Sequence, residues 1–111
     1  MLKNNYKTAL VTGASSGIGE ETVKLLVKNN IKVYAVARRK NKLIKLEKMT
    51  GCVPIVMDIR DRKALEKLKK LKIDILVNNA GLCMSVGALS LTLRRLAGKL
   101  APCILVTYSY W

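Results

Sequence analysis

The chain has 111 residues, enough for one domain with a buried core. Half of the residues are apolar and a quarter charged, which excludes a disordered chain. Twenty-one Lys and Arg against seven Asp and Glu give a net charge of +14, which fits a polyanion partner or simply a lysine-rich solvated surface.

Residues 7–12, KTALVT, read as a buried strand. From Gly17 the pattern turns helical, with Ile18, Thr22, Leu25 and Leu26 on one face and an end at Asn29-Asn30. Residues 31–37, IKVYAVA, are β-branched and apolar and predict a second strand. A helix follows with Leu43, Leu46 and Met49 on one side, lysines on the other, and a stop at Gly51. Residues 53–57 predict a third strand. Asp61 then caps a helix carrying Ala64, Leu65, Leu68 and Leu71. Residues 73–77, IDILV, predict a fourth strand that runs into NNAG.

Strict alternation of short apolar strands with single amphipathic helices means βαβ units and a parallel sheet. The expected fold is α/β, a Rossmann-like doubly wound parallel sheet truncated after about four strands. Right-handed crossovers place its helices on both faces.

The glycines of LVTGASSGIGEE fall at the first turn of this pattern. Glycine permits positive φ and removes the Cβ that would block a close ligand. The helix beyond offers free N–H groups and a partial positive charge to a pyrophosphate. Gly13, Gly17 and Gly19 are spaced Gly-x3-Gly-x-Gly, not the Gly-x-Gly-x-x-Gly of the general dinucleotide fingerprint. Any tight strand-to-helix turn also uses glycine, so the spacing gains its meaning from three further features.

The second strand ends in Ala37-Arg38-Arg39 with no acid. An acid there would bond the ribose 2′-OH of NAD, whereas an Arg accommodates the 2′-phosphate of NADP. Arg38 is the first candidate and Arg39 the second; two solvated arginines are the plain alternative. Asp58 follows the third strand, where a carboxylate accepts from an adenine amino group or closes a turn. Asn78, Ala80 and Gly81 close the fourth strand, where small residues leave room for a ribose at the point of strand reversal.

TGASSGIG, the arginine after the second strand, Asp58 and NNAG at these separations resemble the short-chain dehydrogenase/reductase family over residues 6–81. The resemblance implies that Gly13, Ser15, Gly17, Ile18 and Gly19 line the pyrophosphate. It implies that Arg38 selects NADP(H) over NAD(H), Asp58 holds adenine, and Asn78, Ala80 and Gly81 line the ribose. It further implies hydride exchange between nicotinamide and a carbonyl or alcohol.

In that family a Ser and a Tyr-x-x-x-Lys pair perform the chemistry, helped by an Asn. No Tyr-x-x-x-Lys occurs here, and residues 82–111 contain no Asn. No catalytic residue is therefore assigned, and the 111 residues alone are expected to be inactive. Ser109 is taken as incidental. Residues 82–111 also lack any Asp or Glu, while all seven acids lie in residues 1–81. The chain divides accordingly into a nucleotide-binding half, 1–81, and a divergent tail, 82–111, in which the family's frame is lost. Leu89, Leu93, Leu96 and Leu100 would share one face of a core-covering helix in that tail. An apolar sheet edge left uncovered by the tail would drive self-association.

The alternative is a non-catalytic NADP(H)-binding module or a basic polyanion binder. Lysines 40, 42, 45, 48, 67, 69, 70 and 72 supply charge, but no aromatic residue interleaves them, so nucleic acid is not the expected partner. Three cysteines without paired spacing predict no disulfide framework and no metal site. The uncharged stretches are too short to span a bilayer, and the start lacks an apolar signal region, so no membrane partner and a cytoplasmic location are expected.

Overall fold

A computed structural model describes residues 6–15, 17–58, 61–68, 70–78 and 104–107. Strand β1 (Thr8–Thr12), helix α1 (Gly17–Lys28), strand β2 (Lys32–Ala37), helix α2 (Lys40–Thr50) and strand β3 (Val53–Val56) follow one another as expected. Helix α3 (Arg62–Leu68), strand β4 (Ile75–Asn78) and strand β5 (Ile104–Thr107) complete the order. The strands form one sheet in the order β3-β2-β1-β4-β5. All four neighbouring pairs are parallel. The doubly wound architecture thus stands, with one strand more than the four the alternation counts. β5, in the tail, pairs with β4 from Ile75↔Ile104 to Asn78↔Thr107, so β4 is an inner strand and its edge is covered. The outer strands are β3 and β5.

β1 is buried on both faces, which explains why its sequence shows no alternation. Ala9 and Val11 face α1 and α2, in one cluster with Val33, Ala35, Ala37, Ile75 and Val77 of the flanking strands. Val23 and Leu26 of α1 and Leu43 and Leu46 of α2 pack onto that cluster. Leu10, Thr12, Val36 and Leu76 are buried on the other face, and Leu68 of α3 is buried outside the α1–α2 cluster. Burying a leucine stabilises a fold by about 1.5–3 kcal/mol.

Two helical faces differ from expectation. In α1 the buried stripe is Gly19, Val23 and Leu26, while Ile18 is 40% and Leu25 61% exposed. The glycine lets the helix backbone lie close to the sheet, which turns the bulkier Ile18 and Leu25 outward. In α2, Leu43 and Leu46 are buried but Met49 is exposed. Gly51 ends α2 in the left-handed region with its N–H donating to the Glu47 carbonyl. Asn30, also at positive φ, closes the turn after α1. Asp61 caps α3 as expected: its Oδ1 accepts from the N–H groups of Lys63 at 3.0 Å and Ala64 at 3.4 Å. Pro54 lies on β3, an outer strand, where its missing N–H costs no ladder bond on the open side.

One polar latch ties the lower ends of β1 and β4. Asp74 Oδ2 accepts from Lys7 N at 2.7 Å, Thr8 N at 2.9 Å and Thr8 Oγ1 at 3.3 Å. The Asp74 N–H returns a bond to the Thr8 carbonyl at 2.9 Å. The Lys7 N–H first, then that of Thr8, holds the Asp74 carboxyl below its ordinary value of 3.8. A carboxyl whose folded pKa is depressed contributes stability above its unfolded pKa and loses it as pH falls through the folded value. Asp74→Asn is therefore expected to cost about 1–2 kcal/mol near neutrality. Denaturant melts should show that gap closing as pH drops below 3.8; a gap unchanged by pH would show that charge is irrelevant to the latch.

Candidate dinucleotide site

Because every strand is parallel, the C-terminal ends of β1, β2, β3 and β4 lie at the same edge of the sheet. The chain runs outward from β1 to β3, then returns to place β4 on the other side of β1. That reversal sets the C-terminal ends of β1 and β4 side by side, and such a switch point is where open parallel sheets offer a ligand crevice.

The glycine turn sits at this crevice. Gly13 has φ 64° and Gly17 has φ 58°, both in the left-handed region. The turn is pinned sideways by the Ala14 N–H, which donates to the Val36 carbonyl at 3.1 Å. Ala14 is fully buried and Ser15 half-buried. Gly17 begins α1, whose first N–H groups lack partners within the helix and point toward the turn. Ile18 lies on the outer side of that first turn, and Gly19 on its buried side. Glu20 would oppose an anion at this helix end, but Lys24 lies 3.2 Å from it and 3.3 Å from Glu21. These carboxylates, Glu20 first, raise the Lys24 pKa above its ordinary value.

Thr12 is a buried polar residue that the sequence reading treated only as part of a strand. Its Oγ1 donates to the Val77 carbonyl at 3.4 Å, joining β1 to β4 beside the crevice. A hydroxyl closing an apolar strand just ahead of a glycine was the available signal.

Arg38 and Arg39 are exposed immediately beyond β2, at the N-terminus of α2. Arg39 is the N-cap of α2, with φ −90° and ψ 97°, and makes no side-chain capping bond. The first turn of α2 contains no acid. This end of the helix therefore joins two guanidinium groups to a positive backbone dipole, with no carboxylate in its first turn.

Asp58 is half-buried two residues past β3. Its carbonyl accepts from Asp61 N–H at 3.0 Å, so the turn role weighed for it is real. Met57 N–H donates to the Ala37 carbonyl at 3.0 Å, which keeps the Asp58 segment beside the Arg38 segment. Asn78 ends β4 at the same sheet edge; Ala80 and Gly81 lie outside the described residues. Ser109 and the leucines proposed for a tail helix also lie outside them.

Among the described residues, no group of His, Cys, Asp and Glu could hold a metal ion. No helix among them is long and apolar enough to cross a membrane. Cys52 is buried, and burial pushes its thiol pKa up, so it packs as an apolar residue.

A parallel sheet with a glycine turn at its switch point defines half of a dinucleotide-binding Rossmann fold. The family model for short chain dehydrogenase matches residues 7–98, and the chain belongs to that family. An uncharacterised short-chain type dehydrogenase/reductase, y4eK, of Sinorhizobium fredii is 42% identical over 87 residues, covering 78% of this chain and 35% of the relative. A probable NADP-dependent dehydrogenase of Dichelobacter nodosus is 45% identical over 83 residues, covering 68% of this chain and 78% of the relative. The closed form of a serine dehydrogenase complexed with NADP+ superposes with a TM-score of 0.75 at 28% identity, over 90% of this chain and 52% of that one. The chain spans about a third of the length of y4eK and about half of the serine dehydrogenase.

Proposed function

We propose that these residues are the cofactor-binding half of an NADP(H)-dependent oxidoreductase of the carbonyl reductase or alcohol dehydrogenase type. The observation that carries this reading is the cationic end of α2. Arg38 and Arg39 stand there with no acid in the first turn, beside a glycine turn at the switch point. These residues fit a dinucleotide bearing a 2′-phosphate better than one bearing a free ribose hydroxyl, which would call for a carboxylate. Relatives named as NADP-dependent in Haemophilus influenzae and Dichelobacter nodosus support it.

In this reading Gly13, Ser15, Gly17, Ile18 and Gly19 receive the pyrophosphate on the open N-terminus of α1. Arg38, with Arg39 beside it, pairs with the 2′-phosphate. Asp58 accepts from the adenine amino group, and Asn78, Ala80 and Gly81 border the ribose. A bound nicotinamide supplies hydride exchange with a carbonyl or alcohol; this chain's residues hold and orient the nucleotide. Residues 1–81 carry that task, and residues 82–111 form a tail of different composition.

Titration of the 111-residue chain with NADPH and NADH, by quenching of protein fluorescence or by calorimetry, tests the reading. Saturable NADPH binding that survives excess competitor DNA, with weaker NADH binding, is expected. Equal affinity for both cofactors would remove the role of Arg38. Displacement by any DNA, with a steep loss in salt, would favour the polyanion reading instead. Because the 111 residues contain no Tyr-x-x-x-Lys, they are expected to bind cofactor without turning over carbonyl substrates. Robust oxidation of NADPH with a simple ketone or aldehyde would overturn that expectation.

A further inference from the structure

The end of the sheet opposite the glycine turn is lined with lysine. Lys7 directly precedes β1 and Lys32 begins β2, and the Lys32 N–H donates to the Lys7 carbonyl at 2.9 Å. Lys28 ends α1, Lys48 lies in the last turn of α2, and Lys70 and Lys72 lie between α3 and β4. All six are exposed. They meet at one end because the strands are parallel, so that the described helices finish where the next strands begin. Lys28 and Lys48 suit helix C-termini, where a cation opposes the dipole. The dipoles give no reason for Lys7, Lys32 and Lys72. Three carboxylates, Glu47, Glu66 and Asp74, lie on the segments that meet here, and Asp74 is already turned onto the Lys7 and Thr8 N–H groups.

Two exposed apolar side chains stand among the lysines. Met49, beside Lys48, is 58% exposed, and Val53, which begins β3, is 36% exposed. Open aromatic rings are not on offer there. Tyr6 packs on the core, and half-buried Tyr34 has the Lys32 ammonium over its ring, 5.0 Å from the centroid. A single nucleic-acid strand wants aromatic faces on which to stack its bases. A duplex would use the lysines and leave Met49 and Val53 without a role. Lysines interleaved with free aliphatic residues fit the surface of an anionic bilayer. Their ammonium groups meet the lipid headgroups while the apolar side chains enter the headgroup boundary.

We propose that this lower end of the sheet docks the protein on an anionic membrane surface, with Lys7, Lys32 and Lys72 on the headgroups and Met49 dipping between them. The lack of a spanning helix among the described residues concerns crossing a bilayer, not resting on one. The expectation of no membrane partner, drawn from short uncharged stretches, is narrowed to crossing. In this pose the glycine turn points away from the bilayer, about 15–20 Å up the sheet. Docking therefore neither needs nor blocks a nucleotide, and the inference is independent of the cofactor reading.

Co-sedimentation of the 111-residue chain with phosphatidylcholine vesicles, with and without phosphatidylserine, tests this near physiological salt. Binding is expected with phosphatidylserine, and its absence there overturns the proposal. A lysine at an anionic surface is worth about fivefold in affinity, so Lys7→Gln, Lys32→Gln and Lys72→Gln together should weaken binding about 100-fold. Lys42→Gln, Lys45→Gln and Lys63→Gln remove the same charge from exposed positions further up α2 and α3, and should weaken it about fivefold or less. Equal losses in the two triple variants would mean that the net charge of +14 acts as a whole, and would overturn the proposal. Should the first triple variant prove unstable, Lys72→Gln alone should weaken binding about fivefold, and no loss there overturns the proposal. Met49→Ser should weaken vesicle binding several-fold and leave the melting temperature unchanged, since the side chain is exposed. Vesicle binding indifferent to Met49→Ser overturns the proposal. So does tighter binding to a DNA oligonucleotide that the first lysine triple abolishes, because the partner would then be a nucleic acid.

Discussion

Arg38→Ala is expected to weaken NADPH binding about 10- to 100-fold and to leave NADH binding nearly unchanged. The range follows from one charge-assisted bond to a phosphate, worth about 1.5–3 kcal/mol. Arg38 is placed for that bond because it directly follows Ala37, whose carbonyl is tied to Met57 N–H. Its backbone is thus fixed while its side chain is exposed. Arg39 has a second duty as the N-cap of α2, and its carbonyl accepts from Leu43 N–H at 3.1 Å. Arg39→Ala should therefore cost less cofactor affinity than Arg38→Ala. Arg38→Asp should go further and favour NADH, since a carboxylate there repels phosphate and accepts from a ribose hydroxyl. Parallel titrations of the three variants with both nucleotides measure this. If Arg38→Ala weakens NADPH and NADH equally, the arginine acts through fold or pyrophosphate and not through the 2′-phosphate.

The readable part of this structure was the part written in local chemistry. Positive φ needs glycine, so Gly13 marked the turn before α1, and Gly51 marked the end of α2. Asp61 advertised its cap because a short carboxylate ahead of a helix satisfies free N–H groups. What the sequence hid depended on packing between distant segments. The periodicity of α1 fits two faces almost equally well. The structure buries the stripe holding Gly19, because close approach to the sheet outweighs the larger area of Ile18 and Leu25. Met49 is another apolar residue left outside, on a helix whose buried side is already filled by Leu43 and Leu46. The Asp74 latch joins residues 66 and 67 positions apart, a distance no local pattern reports. Strand β5 lies outside the alternation of strands and helices that marked the first four, and its pairing with β4 appears only in the sheet order.

Gly17→Val is expected to abolish measurable NADPH binding while leaving the chain folded but weaker. Two effects coincide at this position. At φ 58° an L side chain is strained, by about 1–2 kcal/mol, and a β-branched one is at the upper end. A destabilisation of that size should lower the melting temperature by about 4–8 °C per kcal/mol in a domain this small. Gly17 is also the first residue of α1, so a side chain there stands at the helix N-terminus, where a phosphate would have to approach the N–H groups. Gly51→Val separates the two effects. Gly51 has φ 78°, so the strain is of the same kind, but a Cβ there meets nothing within 4 Å and the residue lies at the far end of α2. It should lose comparable thermal stability and keep full NADPH affinity. Equal loss of binding in both variants would mean that a weakened fold alone ends cofactor binding. The glycine turn would then be a structural corner of the sheet and not a phosphate cradle. Loss confined to Gly17→Val ties the bare backbone between Thr12 and Ile18 to the nucleotide.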